Sequence, residues 1–193
     1  MERAGTRQGI FDPGDGGIHW VYAGRGGPDM ARSVRGIFRA VRQYAPAALR
    51  ERLRLHFVGT SYAAAGRGTA TIAPIATEFG LERQVFEHTD RIPYAETLRC
   101  LRDATALLVP GSDDSSYTAS KIYPYLLARR PLLAVFHEQS SVVDLMRRAG
   151  GGGCVPFATD TSDEALAAAI GAAWITSGRH TEVAELSATE FAP

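Results

Sequence analysis

The sequence predicts an α/β chain, a three-layer α/β/α sandwich around about six parallel strands. Three observations predict it. Short β-branched or aromatic runs alternate about six times with segments of helical spacing, and the connections between them are short. Central runs such as Ala106-Leu107-Leu108-Val109 are also continuously apolar, as strands buried on both faces are.

The strand-like runs are Ile18–Ala23, Leu53–Val58, Gln84–His88, Ala104–Val109, Pro131–Phe136 and Cys154–Phe157. After the first, Met30, Val34, Ile37, Phe38 and Val41 recur at helical spacing, while Arg32, Arg35, Arg39 and Arg42 fall mostly on other faces. A shorter helix spans Ile72–Phe79 with Pro74 in its first turn, and Tyr94, Leu98 and Leu101 mark a third, entered after Pro93. Val142, Val143, Leu145, Met146 and Ala149 mark another. It is opened by a Ser141-x-x-Asp144 capping arrangement and closed by Gly150–Gly153. Thr161-x-x-Glu164 opens a last helix, with Leu166, Ala169, Ile170, Ala173 and Trp174 on its apolar face. This order calls for a parallel sheet with helices on both sides.

Composition bounds the function. The 193 residues suit one domain of generous size, or two small ones. Lys+Arg and Asp+Glu both number 21 and the net charge is zero, against the basic excess of a dedicated nucleic-acid binder. No apolar run is long enough to span a membrane, and the polar, glycine-rich start lacks a signal-peptide core, which reads as a cytoplasmic protein. Cys100 and Cys154 have no metal-ligand spacing and imply no disulfide framework. Residues 1–17 read as a flexible arm or linker, 18–180 as the folded domain, and 181–193 as a tail or crossing helix.

In open parallel sheets ligands bind beyond the carboxyl ends of the strands. After the first strand stands Gly24-Arg25-Gly26-Gly27-Pro28, and after the second Gly59 and then Gly66-Arg67-Gly68. Glycines admit a ligand close to the backbone and arginine suits phosphate, although both clusters also serve as ordinary turns. Asp29 stands where a G-x-G-x-x-G fingerprint needs glycine, which removes the main support for NAD binding. After the fourth strand, Pro110 to Ser120 is a hydroxyl-rich loop that leads to Lys121, the chain's single lysine beside 20 arginines. Pro124 delays or kinks the helix that follows. Asp113-Asp114 reads as a turn rather than a metal site. His19 and His56 read as packed strand residues, and His88 and His137 as strand-end residues without a catalytic partner.

The segment Ser120-Lys121-Ile122-Tyr123-Pro124-Tyr125-Leu126-Leu127-Ala128-Arg129-Arg130-Pro131-Leu132-Leu133-Ala134 resembles the Ser-Lys and Tyr-Leu-Ala segment of retaining GT-B glycosyltransferases of the family 4 group. Tyr22-Ala23-Gly24-Arg25 resembles the first strand and phosphate loop of their C-terminal domain, Leu55-His56-Phe57-Val58-Gly59 its second strand, and Val85 through Asp103 the strand, proline and helix that follow. The resemblance runs from Ile18 to Ala173, and it is the order and spacing of the motifs that carry it. It implies a Rossmann-like half of a GT-B fold that binds a nucleoside-diphosphate sugar and requires no metal or other cofactor.

Carried over by position, the resemblance gives Arg25 and either Arg67 or Lys121 the diphosphate, with Gly24 and Gly26 in the phosphate loop. Ser116, Tyr117 and Ser120 would meet phosphate or sugar oxygens, and the backbone at Arg91 and Ile92 would read the base. Ser116 and Pro124 stand where the family carries two glutamates, one toward the sugar and one toward the ribose. The chain has room for one half only. The acceptor-binding N-terminal half is therefore expected from a longer protein or a partner chain, and this chain alone, with no catalytic residue assigned, is expected to be inactive. Contact with a membrane would come through that missing half. A nucleotide-sugar epimerase half and a non-catalytic Rossmann-like interaction module are the alternatives.

Overall fold

The computed structural model describes residues 7–115, 121–150 and 152–182. Strand β1 (Ile18–Ala23) passes through a 3₁₀ turn, Pro28–Met30, into α1 (Ala31–Tyr44), and a short α2 (Ala47–Arg52) precedes β2 (Leu53–Val58). Then come α3 (Ala73–Glu78), β3 (Val85–His88), α4 (Tyr94–Asp103), β4 (Ala106–Pro110) and α5 (Ile122–Leu127). The chain continues with β5 (Leu132–His137), α6 (Ser141–Ala149), β6 (Gly153–Phe157) and α7 (Asp163–Ile170), which runs on as a π-helical stretch, Gly171–Thr176, and a 3₁₀ turn, Arg179–Thr181.

The sheet has the order β3-β2-β1-β4-β5-β6 and every pairing is parallel. Right-handed crossovers put α1 and α3 on one face, and α4, α5 and α6 on the other. Helix α7 returns to pack on α1, while α4 lies on β1 and α5. The Rossmann-like three-layer fold read from the sequence is the fold observed. Trp20 meets Trp174 edge to face on the α1 side, where Tyr22 and Phe38 both pack against Phe57. Gly36 brings α1 and α7 close, since a Cβ there would lie 2.8 Å from Leu166 Cδ2.

Pairing around β1 is unequal. Six residues of β1 pair with β2, but only Trp20 and Val21 pair with β4. Extending that register would bring the Ala23 carbonyl to the nitrogen of Pro110, which has no hydrogen to donate. The ladder stops there and the two strands part toward their carboxyl ends.

Strand bounds differ from the sequence reading by at most two residues. The helix caps shift by one. Ser140, not Ser141, caps α6 by accepting from Val142 N, and Ser162, not Thr161, caps α7 by accepting from Ala165 N. Thr161 instead accepts from Ala158 N in the preceding turn. Helix α5 begins at Ile122 with Pro124 inside its first turn, where the missing N–H breaks no intrahelical bond.

The described part of the segment read as an arm or linker, 7–17, is held against the α4 face of the sheet. Glu96 accepts from Gly9 N, Phe11 stacks on His19 and His56, and Asp15 bonds His19 Nε2. His19 Nδ1 and His56 Nε2 are 3.0 Å apart, so they share one hydrogen bond. Of the tail and crossing-helix segment, 183–193 lies outside the described residues.

Burial, reinforced by the charges of His19 and His88, pushes the His56 imidazole down to about 3. Unfolded, it titrates near pH ~6.5. Above that pH His56 is neutral in both states. Below it the unfolded chain gains a proton that the folded chain refuses, and stability falls until about pH 3. The expected loss from this group is about 1.4 kcal/mol per pH unit below pH ~6. Urea melts between neutral pH and about pH 4.5 should show that slope reduced by about one proton in His56→Leu; an unchanged slope in the variant contradicts the assignment.

Candidate functional site

The parting of β1 and β4 leaves Ala23 with a backbone N–H and C=O facing no strand. The Tyr125 hydroxyl takes both, accepting from Ala23 N at 2.7 Å and donating to Ala23 O at 2.9 Å. Tyr125 is buried on α5, so this contact fixes the helix across the opened ladder. Above it lies a cavity of about 500 Å³, walled by the loops after β1, β2 and β3, by the start of α5 and by α4.

The β1 loop is braced on both sides. Gly26 N donates to Thr60 O, Ser33 Oγ donates to Gly111 O, and Asp113 N donates to Asp29 O. Arg25 grips Asp29 through two nitrogens, Nη1 at 2.8 Å and Nη2 at 2.5 Å. That guanidinium, seconded by Ser112, holds the Asp29 carboxyl below its ordinary range.

Lys121 stands at the N-cap of α5 with Nζ 2.5 Å from Tyr22 Oη, and the Tyr22 hydroxyl donates onward to Arg25 O at 2.8 Å. The bare backbone of Gly24 accommodates this approach, since a Cβ there would sit 2.6 Å from Lys121 Nζ and 2.9 Å from Tyr22 Oη. Burial pushes the Lys121 amine down to about 8. The nearby Arg25 and Arg91 charges push the same way, and Asp29 opposes them. Arg91 stacks its guanidinium 4.3 Å from the centroid of the exposed Tyr62 ring.

Of the residues singled out from sequence, Gly24, Arg25, Arg91, Ile92 and Lys121 line this one cavity. Gly26 and Arg67 are not in its lining. Gly26 packs on Thr60 and Thr71 behind the β1 loop. Arg67 is exposed on the β2–α3 loop, with its N–H given to Ala64 O. Ser116, Tyr117 and Ser120 lie outside the described residues.

The β2–α3 loop that carries the second glycine cluster is held by carboxylates of the protein itself. Glu87 of β3 accepts from the Thr60 hydroxyl and from the N–H groups of Thr71, Ile72 and Ala73, which closes the N-terminus of α3. Asp90 likewise accepts from Gly66 N. Sequence reasoning passed over Glu87, Tyr22, Tyr62 and Tyr125. The one signal for Glu87 was an acid inside an otherwise apolar or aromatic strand. The tyrosines carried none, because a tyrosine in a core strand or helix reads as packing. Among the described residues no three of His, Cys, Asp and Glu form a metal-holding group, and no helix is long and apolar enough to cross a membrane.

The 3-2-1-4-5-6 parallel sheet is a Rossmann-like fold, with a basic cavity at the carboxyl ends of its strands, beside the point where strand order reverses. No protein-family model matches the chain, and no curated protein matches it in sequence. Solved structures match it in fold. WaaG, a glycosyltransferase involved in lipopolysaccharide biosynthesis, matches with a TM-score of 0.59 and 17% identity over 86% of this chain and 40% of its own. Alr3699/HepE of Anabaena, in complex with UDP and glucose, matches at 0.58 with 14% identity over 87% and 41%. A putative UDP-N-acetylglucosamine 2-epimerase from Listeria monocytogenes matches at 0.53 with 13% identity over 91% and 41%. The chain thus has the fold of one part of these proteins and spans about 40% of their length.

Tyr125→Phe removes the one hydroxyl that satisfies both backbone groups of Ala23. The expected cost is about 1–3 kcal/mol in urea melts, the range for stranding buried polar groups. A loss below about 0.5 kcal/mol would show that the parted ladder does not depend on it.

Proposed function

We propose that this chain is the donor-binding half of a GT-B glycosyltransferase of the family 4 kind. It would hold a nucleoside-diphosphate sugar at the carboxyl rim of its sheet and depend on a second half, in a longer protein or a partner chain, for the acceptor and for catalysis. The observation that carries this reading is the single cavity in which Arg25, Arg91 and Lys121 stand beside apolar Ile92, Leu101 and Pro124. Cations and apolar side chains in one cavity suit a ligand with a charged diphosphate and a flat base. The fold shared with WaaG, and with HepE in complex with UDP and glucose, supports the same reading.

In this reading Lys121 and Arg25 face the diphosphate, and the backbone at Arg91 and Ile92 faces the base, with Gly24 keeping the β1 loop open to the phosphates. Ser116, Tyr117 and Ser120 remain assigned to phosphate or sugar oxygens. As the glycosidic bond breaks, negative charge gathers on the departing diphosphate, and fixed cations near it lower the barrier without reorganising. Side chains meet that charge, and a metal is not required. Pro124 presents no acceptor to a ribose hydroxyl, so binding by this half alone is weak. A cytoplasmic location belongs to the same reading, with membrane contact made only through the second half.

Titration calorimetry with UDP, GDP and ADP tests it. At least one should bind, with Lys121→Ala weakening it tenfold or more and His180→Ala leaving it unchanged. Absence of heat and of competition for all three contradicts the reading.

The sign of the pH dependence follows from Lys121. Its amine is charged below about pH 8 and neutral above, so it attracts a diphosphate fully at neutral pH and progressively less as pH rises. UDP affinity should therefore fall on going from about pH 7 to about pH 9.5. Lys121→Arg, which stays charged, should remove that fall. A pH-independent affinity in the wild-type chain contradicts a diphosphate beside this amine.

A further inference from the structure

We propose that Lys121 is a site of acylation by acyl phosphates, which the cavity gathers by their phosphate group. The inference rests on the same cavity taking phosphate-bearing ligands, and concerns what its amine does when the ligand carries an activated carbonyl.

The amine is held in place and reachable from the cavity. Lys121 Nζ is fixed by the Tyr22 hydroxyl at 2.5 Å, lies 4.8 Å from the centroid of the Tyr22 ring, and passes over bare Gly24. Arg25 and Arg91 line the same space, near enough to act on the lysine charge. An anion drawn to them is delivered to a nucleophile. Because the amine is depressed to about 8, about a tenth of it is neutral at pH 7, against a few parts in ten thousand for an ordinary lysine. The neutral amine still donates to Tyr22 and keeps its lone pair for attack.

The step balances without an oxidant or reductant. The nitrogen lone pair attacks the acyl carbon, a C–N bond forms, and the C–O bond to phosphate breaks. Its electron pair leaves with the phosphate, and the proton on nitrogen passes to solvent. The product is a neutral amide. It removes from the cavity a charge that Arg25, already gripped by Asp29, does not duplicate. Acylation would therefore weaken diphosphate binding and act as a regulatory modification of the donor site.

The chain supplies its own standard. Lys121 is the only lysine, and the other amine is the α-amino group, whose ordinary pKa of about 7.7–8.0 is close to that of Lys121. Basicity alone therefore predicts equal labelling. The full 193-residue chain is treated with acetyl phosphate at about pH 7.5, and both sites are followed by intact mass and peptide mapping. Lys121 should acquire acetyl at least tenfold faster than the α-amine, with a rate that saturates in acetyl phosphate and is suppressed by inorganic diphosphate. Equal rates, a rate linear in reagent, or indifference to diphosphate overturns the proposal.

UDP titration of the untreated chain keeps this outcome separate from that of the donor reading. UDP binding without preferential labelling defeats acylation alone. Preferential labelling without nucleotide binding defeats the donor reading alone.

Discussion

Beyond Val21 the first strand loses its neighbour on the β4 side, and the geometry of the site follows from how that loss is managed. Pro110 cannot donate to the Ala23 carbonyl, so β1 and β4 cannot stay zipped to their carboxyl ends. The Tyr125 hydroxyl satisfies both stranded groups of Ala23. The gap therefore persists as a stable opening, with α5 pinned beside it. Lys121, one turn before Tyr125 on the same segment, is carried to the mouth of that opening and meets Tyr22 and Gly24 there. A proline that ends a ladder and a tyrosine that replaces it are thus the physical origin of a basic cavity at the centre of the sheet edge.

Each cation in that cavity has a protein partner before any ligand arrives. Asp29 compensates Arg25, Arg91 rests on the Tyr62 ring, and Lys121 is held by a neutral hydroxyl in a buried setting that lowers its basicity. An entering anion would restore the lysine to its full charge. This makes Lys121 the most responsive group of the three to a diphosphate, whereas acyl transfer draws on the fraction of the amine that stays neutral. The second glycine cluster has no such role. Its helix N-terminus is closed by Glu87, whose carboxylate already provides the negative charge that a ligand would bring.

The sheet was legible because burial on both faces forces continuous apolar runs. Ala106-Leu107-Leu108-Val109 stands out on that account, and the face on which each connecting helix lies follows from handedness once the strand order is known. The caps were misread by one residue because adjacent hydroxyls, Ser140 beside Ser141 and Thr161 beside Ser162, are chemically equivalent until the backbone selects one. Helix α2 left no periodic trace, since its six residues bury only Leu49. In the site, Gly24, Arg25 and Lys121 were visible because charged residues and glycines at strand ends are unusual for a core. Tyr125 and Glu87 were not, because their roles depend on partners about a hundred residues away or across a strand, and no local pattern encodes those.

The most direct measurement is a map of amide chemical shifts in the isotope-labelled chain as UDP is added. A ligand seated in the opening between β1 and β4 perturbs Gly24, Arg25, Gly59, Arg91, Ile92 and Lys121 together, and leaves the Gly66–Gly68 loop and the β6 edge still. Perturbations spread over the opposite end of the strands, or centred on the exposed Arg67 loop, would contradict the account.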